Sequence, residues 1–373
     1  MDLEREWRQG AACRYMNLVS LNLDHFRCFE SLQIDLPREI SIFYGNNAQG
    51  KTSILEAICI LLRLQSPRAS ALSDCVRFSE TAFAVGGSLE RNNEETSLRI
   101  QYRPSGRKLF VDGEKQSRSS EFLKHTALVV WMANDDLTLV RGGGAGRRRY
   151  LDFMASQLFS TYSSAWKAYE KALRSRNFLL KRDSSPHWQE IDAYTQILDE
   201  QGRIVTQFRR KMIEQLSPLV SESQHEISGG EEKVDLNYQP ESGQGDDLRE
   251  TLQDRRAEEL RKRQTAAGPH RDDFALLLNG MPAAKFASEG QQRTLALALK
   301  LAQTHLFLKT RDQAPLVLID DVFGELDPQR RNALMAAWPP DSQKLITTTH
   351  LDWLDDRFDG AVRMKVANAA IRS

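Results

Sequence analysis

The sequence predicts an α/β fold in which a parallel-sheet core is divided into two segments by a mainly helical insertion. Residues 40–62 read as a short apolar strand, a glycine-containing turn and a helix, which is the order found in α/β cores. Residues 315–319 form an almost continuous apolar run, which is typical of a strand buried on both faces of a parallel sheet. Between these segments, residues 146–219 carry apolar side chains at helical spacing among many charged ones. The core is therefore expected to be built from two distant parts of the chain.

The 373 residues are enough for two or more domains, and 40% hydrophobic with 27% charged residues is typical of a globular protein. The net charge is zero, with 51 basic and 51 acidic residues, so any nucleic-acid surface must come from local clustering. The four cysteines are scattered without C-x-x-C spacing, which indicates a reducing compartment and neither a zinc site nor a disulfide framework. No apolar run reaches the roughly 18 residues of a membrane span, and the start of the chain lacks the apolar segment of a secretory signal. We expect a cytoplasmic protein without membrane contact.

The first 112 residues predict strands on both sides of the glycine-containing turn. Residues 1–15 lack regular apolar spacing and are expected to be an N-terminal extension, and Met16 is an alternative to Met1 as the translation start. Short strands after the helix are separated by turn residues, which indicates an antiparallel sheet appended to the core. Strands are expected near residues 18–23, 32–36, 40–44, 82–89, 97–102 and 108–111.

The rest of the chain is helical first and then returns to apolar strands. Residues 183–186 break the helical region, which predicts a helical hairpin, and a charged helix is expected over 248–265. Further strands are expected near residues 128–131, 234–238 and 275–278. The predicted domains are an extension at 1–15, the N-terminal half of the core at 16–112, the mainly helical domain at 113–265 and the C-terminal half of the core at 266–373.

Residues 45–52 match the G-x-x-x-x-G-K-[ST] pattern of a phosphate-binding P-loop. The glycines permit a tight turn whose backbone N–H groups can face phosphate oxygens, and the next helix presents its positive end to the same anion. Lys51 is expected to reach the β- and γ-phosphates and Thr52 to hold Mg²⁺. The predicted nucleotide-binding residues are Gly45, Asn46, Asn47, Ala48, Gln49, Gly50, Lys51 and Thr52.

The apolar run at 315–319 ends in two carboxylates, Asp320 and Asp321. At the C-terminal end of a parallel strand these side chains would lie beside the P-loop, which is the Walker B arrangement. We expect Asp320 to hold Mg²⁺ through water and Asp321 to orient or deprotonate the attacking water.

A helix with an apolar stripe is expected to begin at Ser288, which is a favourable N-cap residue, and to continue to about residue 308. A helix start that carries Ser and Gly is a second surface suited to an anion. Since one nucleotide fills one P-loop, the second surface indicates the nucleotide of a partner subunit.

Together these motifs resemble those of ABC-type ATPases. The segment 288–293 is similar to their signature motif, 325–327 to their D-loop, and the strand end at 347–350 to their switch histidine. From Met16 onward, nearly the whole chain resembles the RecF family of SMC-like ABC ATPases. The further residues that carry this resemblance are Leu23 to Arg27, Arg147 to Asp152, Gly268 to Asp273 and Asp320 to Asp327.

The resemblance implies an ABC-type ATPase head that binds ATP and Mg²⁺ as a homodimer. It implies that Lys51, Asp321 and His350 are catalytic and that Asp327 belongs to the D-loop. Ser288, Gly290 and Gln291 would face the ATP of the partner subunit. Most ABC ATPases have Glu where Asp321 stands, and the shorter side chain predicts slow hydrolysis. No Q-loop glutamine is assigned, because residues 132–136 depart from the Pro-Glu-Asp-like segment of the family.

Two other glycine-rich segments, 142–146 and 228–231, are expected to be turns, because neither has the strand and helix context of a phosphate site.

Basic residues cluster in the helical region despite the zero net charge. Such clusters can neutralise DNA phosphates without reading bases, or they can be ordinary solvated helix faces. The family resemblance favours DNA. The candidate contacts are Arg147, Arg148, Arg149, Arg209, Arg210 and Lys211.

The expected function is ATP-driven dimerisation on gapped or double-stranded DNA, with weaker single-strand binding and slow, DNA-stimulated ATP hydrolysis. The resemblance implies loading of the RecA recombinase beside RecO and RecR, with roles in recombinational repair, DNA replication and the SOS response. Two alternatives are an ABC transporter ATPase subunit and a non-hydrolysing ATP-dependent scaffold.

Overall fold

The computed structural model describes residues 16–182, 186–230, 232–241 and 247–372. The predicted extension at 1–15 and residues 183–185 of the predicted helix break lie outside the described residues. The described chain falls into two compact units. Unit 1 comprises residues 16–136, 226–228 and 297–372, and unit 2 comprises residues 137–225 and 229–296.

Strands make up most of unit 1 and form a small sheet in unit 2. In chain order they are β1 (Asn17–Phe26), β2 (Phe29–Asp35), β3 (Ile40–Tyr44), β4 (Phe83–Arg91), β5 (Glu94–Arg103), β6 (Gly106–Val111), β7 (Glu114–Gln116), β8 (Val129–Ala133), β9 (Val234–Gln239), β10 (Asp273–Leu278), β11 (Met281–Pro282), β12 (Leu316–Asp320), β13 (Lys344–Thr348), β14 (Val362–Ala367) and β15 (Ala370–Arg372).

Helices make up most of unit 2, and some also lie in unit 1. They are α1 (Lys51–Arg63), α2 (Ser119–Leu123), α3 (Leu137–Arg141), α4 (Gly144–Leu158), α5 (Ser160–Arg182), α6 (Trp188–Ser228), α7 (Leu248–Asp254), α8 (Arg256–Lys262), α9 (Ala283–Phe286), α10 (Glu289–Arg311) and α11 (Pro328–Ala337). Single 3₁₀ turns occupy Leu72–Cys75, Asn134–Asp136, Phe323–Glu325 and Asp356–Phe358. No helix among the described residues is long and apolar enough to cross a membrane.

The parallel sheet of unit 1 has the strand order β15-β14-β3-β13-β12-β8. Strands β14, β3, β13, β12 and β8 run parallel, and β15 is antiparallel at one edge. The four residues Leu316 to Ile319 of β12 are fully buried, as expected for a central strand with both faces covered. Strands β3, β13 and β12 are neighbours and run parallel, so their C-terminal ends meet at one edge of the sheet.

The second sheet of unit 1 is antiparallel, with the order β2-β1-β4-β5-β6-β7. Helix α1 contacts strands of both sheets, and all residues from Ile54 to Leu62 are buried. A helix that is apolar on every side needs such a position, because it can expose no face to water. The predicted strands and helix of this region are all present.

Unit 2 contains the predicted helices and a three-stranded antiparallel sheet of order β11-β10-β9. Helix α6 ends at Gly229, whose φ of 64° is the left-handed conformation common after a helix. The turn between β10 and β11 uses Asn279 and Gly280, with φ values of 51° and 79°, which fits the predicted tight hairpin. Of the glycine-rich residues 142–146, Gly142 and Gly143 precede α4, whereas Gly144 to Gly146 already belong to the helix, so the turn prediction is wrong for those three residues.

The prediction of one continuous charged helix over 248–265 is wrong. The segment forms α7 and α8, which are separated at Arg255, where ψ is 9°. The guanidinium of Arg255 donates to the Glu241 carboxylate and to the carbonyl of Ala266. Helix α8 then ends at Arg263, which has a φ of 54°.

The compact units have boundaries at residues 136 and 296, whereas the predicted domains change at 112 and 265. Strand β8 belongs to unit 1 because it pairs in parallel with β12. Strands β10 and β11 belong to unit 2 because β10 pairs with β9. The assignment of functions to the two parts stays a prediction.

Candidate functional site

The P-loop lies between β3 and α1, and its two glycines are required by close neighbours. Gly45 has a φ of 147°, and a Cβ atom there would lie 2.3 Å from the carbonyl oxygen of Val366 in β14. Gly50 has a φ of 105°, and a Cβ atom there would lie 2.7 Å from the Cys28 sulfur. The turn therefore has no room for a side chain at either position. The side chain of Gln49 accepts a hydrogen bond from the backbone N–H of Asn368 at 2.6 Å.

Lys51 is the first residue of α1 and is 7% exposed. Its Nζ donates to the carbonyl oxygens of Gly45, at 2.6 Å, and Asn46, at 2.8 Å. Burial lowers the pKa of the Lys51 amine, and the nearby carboxylates of Asp321 and Asp320 oppose that shift. The amine is thus held at the P-loop by neutral acceptors and interacts with both predicted Walker B carboxylates.

Asp320 joins the P-loop to the Walker B strand. Its Oδ1 accepts hydrogen bonds from the hydroxyl of Thr52 and from the hydroxyl of Thr347, each at 2.7 Å. Asp320 and Thr347 are register partners in β12 and β13, so the sheet itself sets one of these contacts. Two predicted Mg²⁺ ligands that are 268 positions apart in the sequence are therefore in direct contact.

Asp321 follows the strand in a left-handed conformation, with a φ of 55°. Its backbone N–H donates to the carbonyl and to the hydroxyl oxygen of Thr347, at 3.2 and 3.1 Å. Burial raises the pKa of the Asp321 carboxyl; the Lys51 amine opposes this shift, and the Asp320 carboxylate adds to it. A carboxylate with a raised pKa at the edge of a phosphate site is suited to accept a proton.

His350 lies beyond the end of β13, and its side chain is half exposed. A Cβ atom at Gly324 would lie 3.6 Å from the His350 Nε2. The His350 carbonyl accepts a hydrogen bond from the Thr348 hydroxyl at 2.9 Å. The Nδ1 of His350 is 3.8 Å from the Asp352 carboxylate. The predicted switch histidine is therefore placed against the turn that follows Walker B.

Asp327, the predicted D-loop acid, caps helix α11. Its carboxylate accepts from the backbone N–H of Arg330 at 2.9 Å. This bond satisfies one of the free N–H groups of the first helical turn.

The predicted signature residues lie at the start of α10 in unit 2. Ser288 Oγ accepts from the backbone N–H of Gln291 at 3.3 Å, and Gln291 Oε1 accepts from the backbone N–H of Ser288 at 2.8 Å. These reciprocal bonds form a capping box. Gln291 also donates to Glu232 at 2.7 Å. Gly290 occupies the second helical position.

The basic residues predicted to contact DNA differ in exposure. Arg209 is fully buried, and its guanidinium donates to Asp152 and to the Pro269 carbonyl, both at 2.6 Å. The structure contradicts a DNA contact for Arg209, because every polar direction of its guanidinium points into unit 2. Arg147 forms a two-bond pair with Asp273, with both distances 2.7 Å.

The other four candidates are partly or fully accessible. Arg148 is partly exposed, and its Nη1 donates to the Asp272 carbonyl at 2.8 Å. Arg149 and Arg210 are exposed, and Lys211 is partly exposed. The surface available for phosphate contact is therefore smaller than the sequence clusters predicted.

Three supports of the site were not predicted from the sequence. They are the Thr347 hydroxyl on Asp320, the Asn134 amide on the turn after β12, and the approach of β14 to the P-loop. The first two could have been inferred, since both residues lie near the C-terminal ends of strands next to β12. No local signal marks the third.

The chain is similar to known proteins over nearly its whole length. Residues 17–371 match the family model described as the RecF/RecN/SMC N terminal domain. A curated relative from Thermosynechococcus vestitus, "DNA replication and repair protein RecF", is 39% identical over 90% of this chain and 91% of the relative.

Two solved structures of the recombination mediator protein RecF in the RecFOR pathway, one with ATPrS and one with ATP, are each 29% identical to this chain. Their TM-scores are 0.87 and 0.86, and they cover 96% and 97% of this chain and 98% of each solved chain.

Proposed function

The chain belongs to the RecF family of SMC-like proteins, and on that premise we propose that it is an ATP-dependent DNA-binding protein of recombinational repair. The relatives are named for DNA replication and repair, and one of the solved RecF structures is a RecF–ATP structure. We propose that this chain likewise binds ATP and hydrolyses it slowly, acting in the cytoplasm.

One observation carries the proposal: the hydrogen bond of 2.7 Å between the Thr52 hydroxyl and the Asp320 carboxylate. It places the end of the P-loop and the end of the Walker B strand at one point. The P-loop backbone and Lys51 can bind the phosphates at the same edge of the sheet.

The donor set at this point fits Mg²⁺. A hydroxyl and a carboxylate oxygen are hard ligands, and Mg²⁺ in phosphate sites is usually held by one or two protein oxygens together with the substrate phosphates. Among the described residues there is no cluster of three His, Cys, Asp or Glu side chains that could hold a metal ion, so the ion would depend on the nucleotide. Thr52 and Asp320 would hold it, and it would supply charge neutralisation at the β- and γ-phosphates.

The residues of the chain divide the remaining work of hydrolysis. Lys51 would release the loop carbonyls and bind the β- and γ-phosphate oxygens. Asp321 would accept a proton from a water molecule. At the same time the oxygen of that water would bond to the γ-phosphorus, and the bond between the γ-phosphorus and the β–γ bridging oxygen would break. His350, at the end of the neighbouring strand, would orient the γ-phosphate. The products are ADP and inorganic phosphate.

We propose that the ATP-bound form is a homodimer in which Ser288, Gly290 and Gln291 of one copy meet the nucleotide of the other. The capping box fixes the start of α10, and the N-terminus of this 23-residue helix favours negative charge. Dimerisation would form a surface for duplex or gapped DNA, with weaker binding of single strands. Arg149, Arg210 and Lys211 are the candidate contacts. RecO- and RecR-like mediators and the RecA recombinase are the proposed partners.

The test is DNA binding by the full chain to duplex, gapped and single-stranded DNA of equal length, with and without ATP, across a salt series. We expect ATP to strengthen binding to duplex and gapped DNA, and we expect affinity to fall steeply with salt because phosphate contacts release counterions. Ser288→Arg should abolish ATP-dependent dimerisation and DNA binding, and Ala284→Arg, an exposed control in the same unit, should not. The proposal would be overturned if the affinity for DNA were the same with and without ATP, or if the chain co-purified with a membrane protein and did not bind DNA.

A further inference from the structure

The loop after β8 reaches the turn that follows the Walker B strand through one side chain. The Nδ2 of Asn134 donates to the backbone carbonyl of Asp321 at 3.1 Å and to the Glu325 carboxylate at 2.8 Å. Asn134 is exposed and directly follows β8, which pairs with β12. The contact therefore joins the ends of two neighbouring strands across 187 positions of sequence.

The residue it holds is in a conformation that needs support. A non-glycine residue with positive φ is uncommon, and it costs of the order of 1 kcal/mol when its surroundings do not favour it. At Asp321, Thr347 holds the N–H side of the residue. Asn134 holds the carbonyl side, so the backbone of Asp321 is fixed from both neighbouring strands.

The chemistry of the contact requires a carboxamide. A single NH₂ group has two hydrogens and can serve the Asp321 carbonyl and the Glu325 carboxylate at the same time. Aspartate at this position would have the same shape, but it would offer no donor and would add a negative charge beside Glu325. Alanine would remove this donor from both acceptors.

We propose that Asn134 is a positioning residue for the ATP hydrolysis proposed above. It holds the turn from Asp321 to Glu325 so that the Asp321 carboxylate keeps a fixed direction toward the attacking water. Asn134 contacts neither the P-loop nor Lys51 in the bonds described, so its effect falls on the chemical step and not on nucleotide affinity.

The test compares Asn134→Ala with the native chain in steady-state ATP hydrolysis. We expect kcat to fall about 10-fold, while KM for ATP and the affinity of a fluorescent ATP analogue change less than about twofold, because the lost contact matters only in the transition state. Asn134→Asp should be at least as slow as the alanine variant, and Asn134→Gln should recover part of the rate. Asp135→Ala, the exposed neighbour in the same loop, should match the native chain.

The outcomes separate this inference from the proposed function on which it rests. A native chain that neither binds nor hydrolyses ATP would overturn the proposed function. A native chain that hydrolyses ATP, with Asn134→Ala equal to it in kcat or weakened only in ATP affinity, would overturn the positioning role alone.

Discussion

Charged side chains are partnered differently in the core of unit 2 and at the P-loop edge of unit 1. In unit 2, the fully buried Arg209 pairs with Asp152, and Arg176, 1% exposed, pairs with the fully buried Glu259 at 2.7 and 2.8 Å. In unit 1, the Lys51 amine rests on two neutral carbonyls, and the Asp320 carboxylate accepts from two neutral hydroxyls.

From this difference we expect the charges in buried ion pairs to stabilise the fold and the charges at the P-loop edge to bind a ligand. A buried charge paired with an opposite charge is largely cancelled, and removing either partner leaves the other uncompensated. A charge whose hydrogen bonds go to neutral groups is cancelled less completely and can still attract phosphate or a metal ion. Substitutions in the buried ion pairs of unit 2 should therefore reduce stability, whereas substitutions at the P-loop edge should reduce ligand binding.

The largest expected effect is on stability, in Arg209→Met. Loss of the guanidinium leaves Asp152 with the Tyr162 hydroxyl but no cation, takes away the donor to the Pro269 carbonyl, and removes the cation from the Trp166 ring, 5.1 Å away. We expect a loss of about 3–5 kcal/mol, as for other broken buried pairs, measured as a lower thermal unfolding midpoint. Arg210→Met is the matched control, since Arg210 is exposed, and it should stay within about 0.5 kcal/mol of the native chain. Equal stability of the two variants would show that the buried Arg209 ion pair does not stabilise unit 2.

The second effect is on ligand binding, in Lys51→Met. We expect affinity for ATP to fall about 100-fold, which corresponds to about 2.7 kcal/mol, because the phosphates lose their one lysine contact in the loop. The thermal midpoint without nucleotide should change little, since methionine fills the same space and avoids burial of an amine. Isothermal titration with ATP and a melting curve on the same sample measure both. A variant with a lower thermal unfolding midpoint but native affinity for ATP would show that Lys51 stabilises the fold and does not bind the phosphates.

The smallest effect concerns a buried neutral group of unit 2, His270. Burial lowers the pKa of His270 to about 4, while a hydrogen bond to the Thr265 carbonyl opposes that shift. That bond uses Nε2 as the donor, so Nδ1 accepts from the Tyr169 hydroxyl at 2.7 Å. The charged groups that also lower the pKa are Arg271, Arg148 and Arg176.

Since the unfolded chain takes up this proton near pH 6.5 and the folded chain only near pH 4, acid favours unfolding across that window. Stability should fall by on the order of 2 kcal/mol between pH 7 and pH 4.5 through this group, at about 1.4 kcal/mol per pKa unit. Melting curves of the native chain and His270→Asn should diverge in their pH dependence over this range. Parallel curves would show that His270 is not held neutral by the fold.

The parts of the site that the sequence predicted are those set by local pattern. The strand β3, the helix α1 and the buried run of β12 follow from apolar periodicity, and the start of α10 follows from the capping preference of Ser288. The meeting of β3, α1 and β12 at one edge follows because parallel strands bring their C-terminal ends together.

The parts that could not be predicted depend on distant partners. Nothing near Arg209 marks it as buried, since Asp152 lies 57 positions away and the local sequence is equally that of a solvated helix face. The break at Arg255 likewise depends on Glu241 and Ala266, which are outside the helical segment.

The approach of β14 to the P-loop bears on the order in which the molecule is made. Gly45 fits against the Val366 carbonyl, and Gln49 accepts from an N–H that lies 319 positions later in the chain. During synthesis, the ribosome must add β14 before these supports can form, about 320 residues after it has made the P-loop. A nascent chain that stops short of β14 therefore has the P-loop motif but lacks part of the structure that supports it.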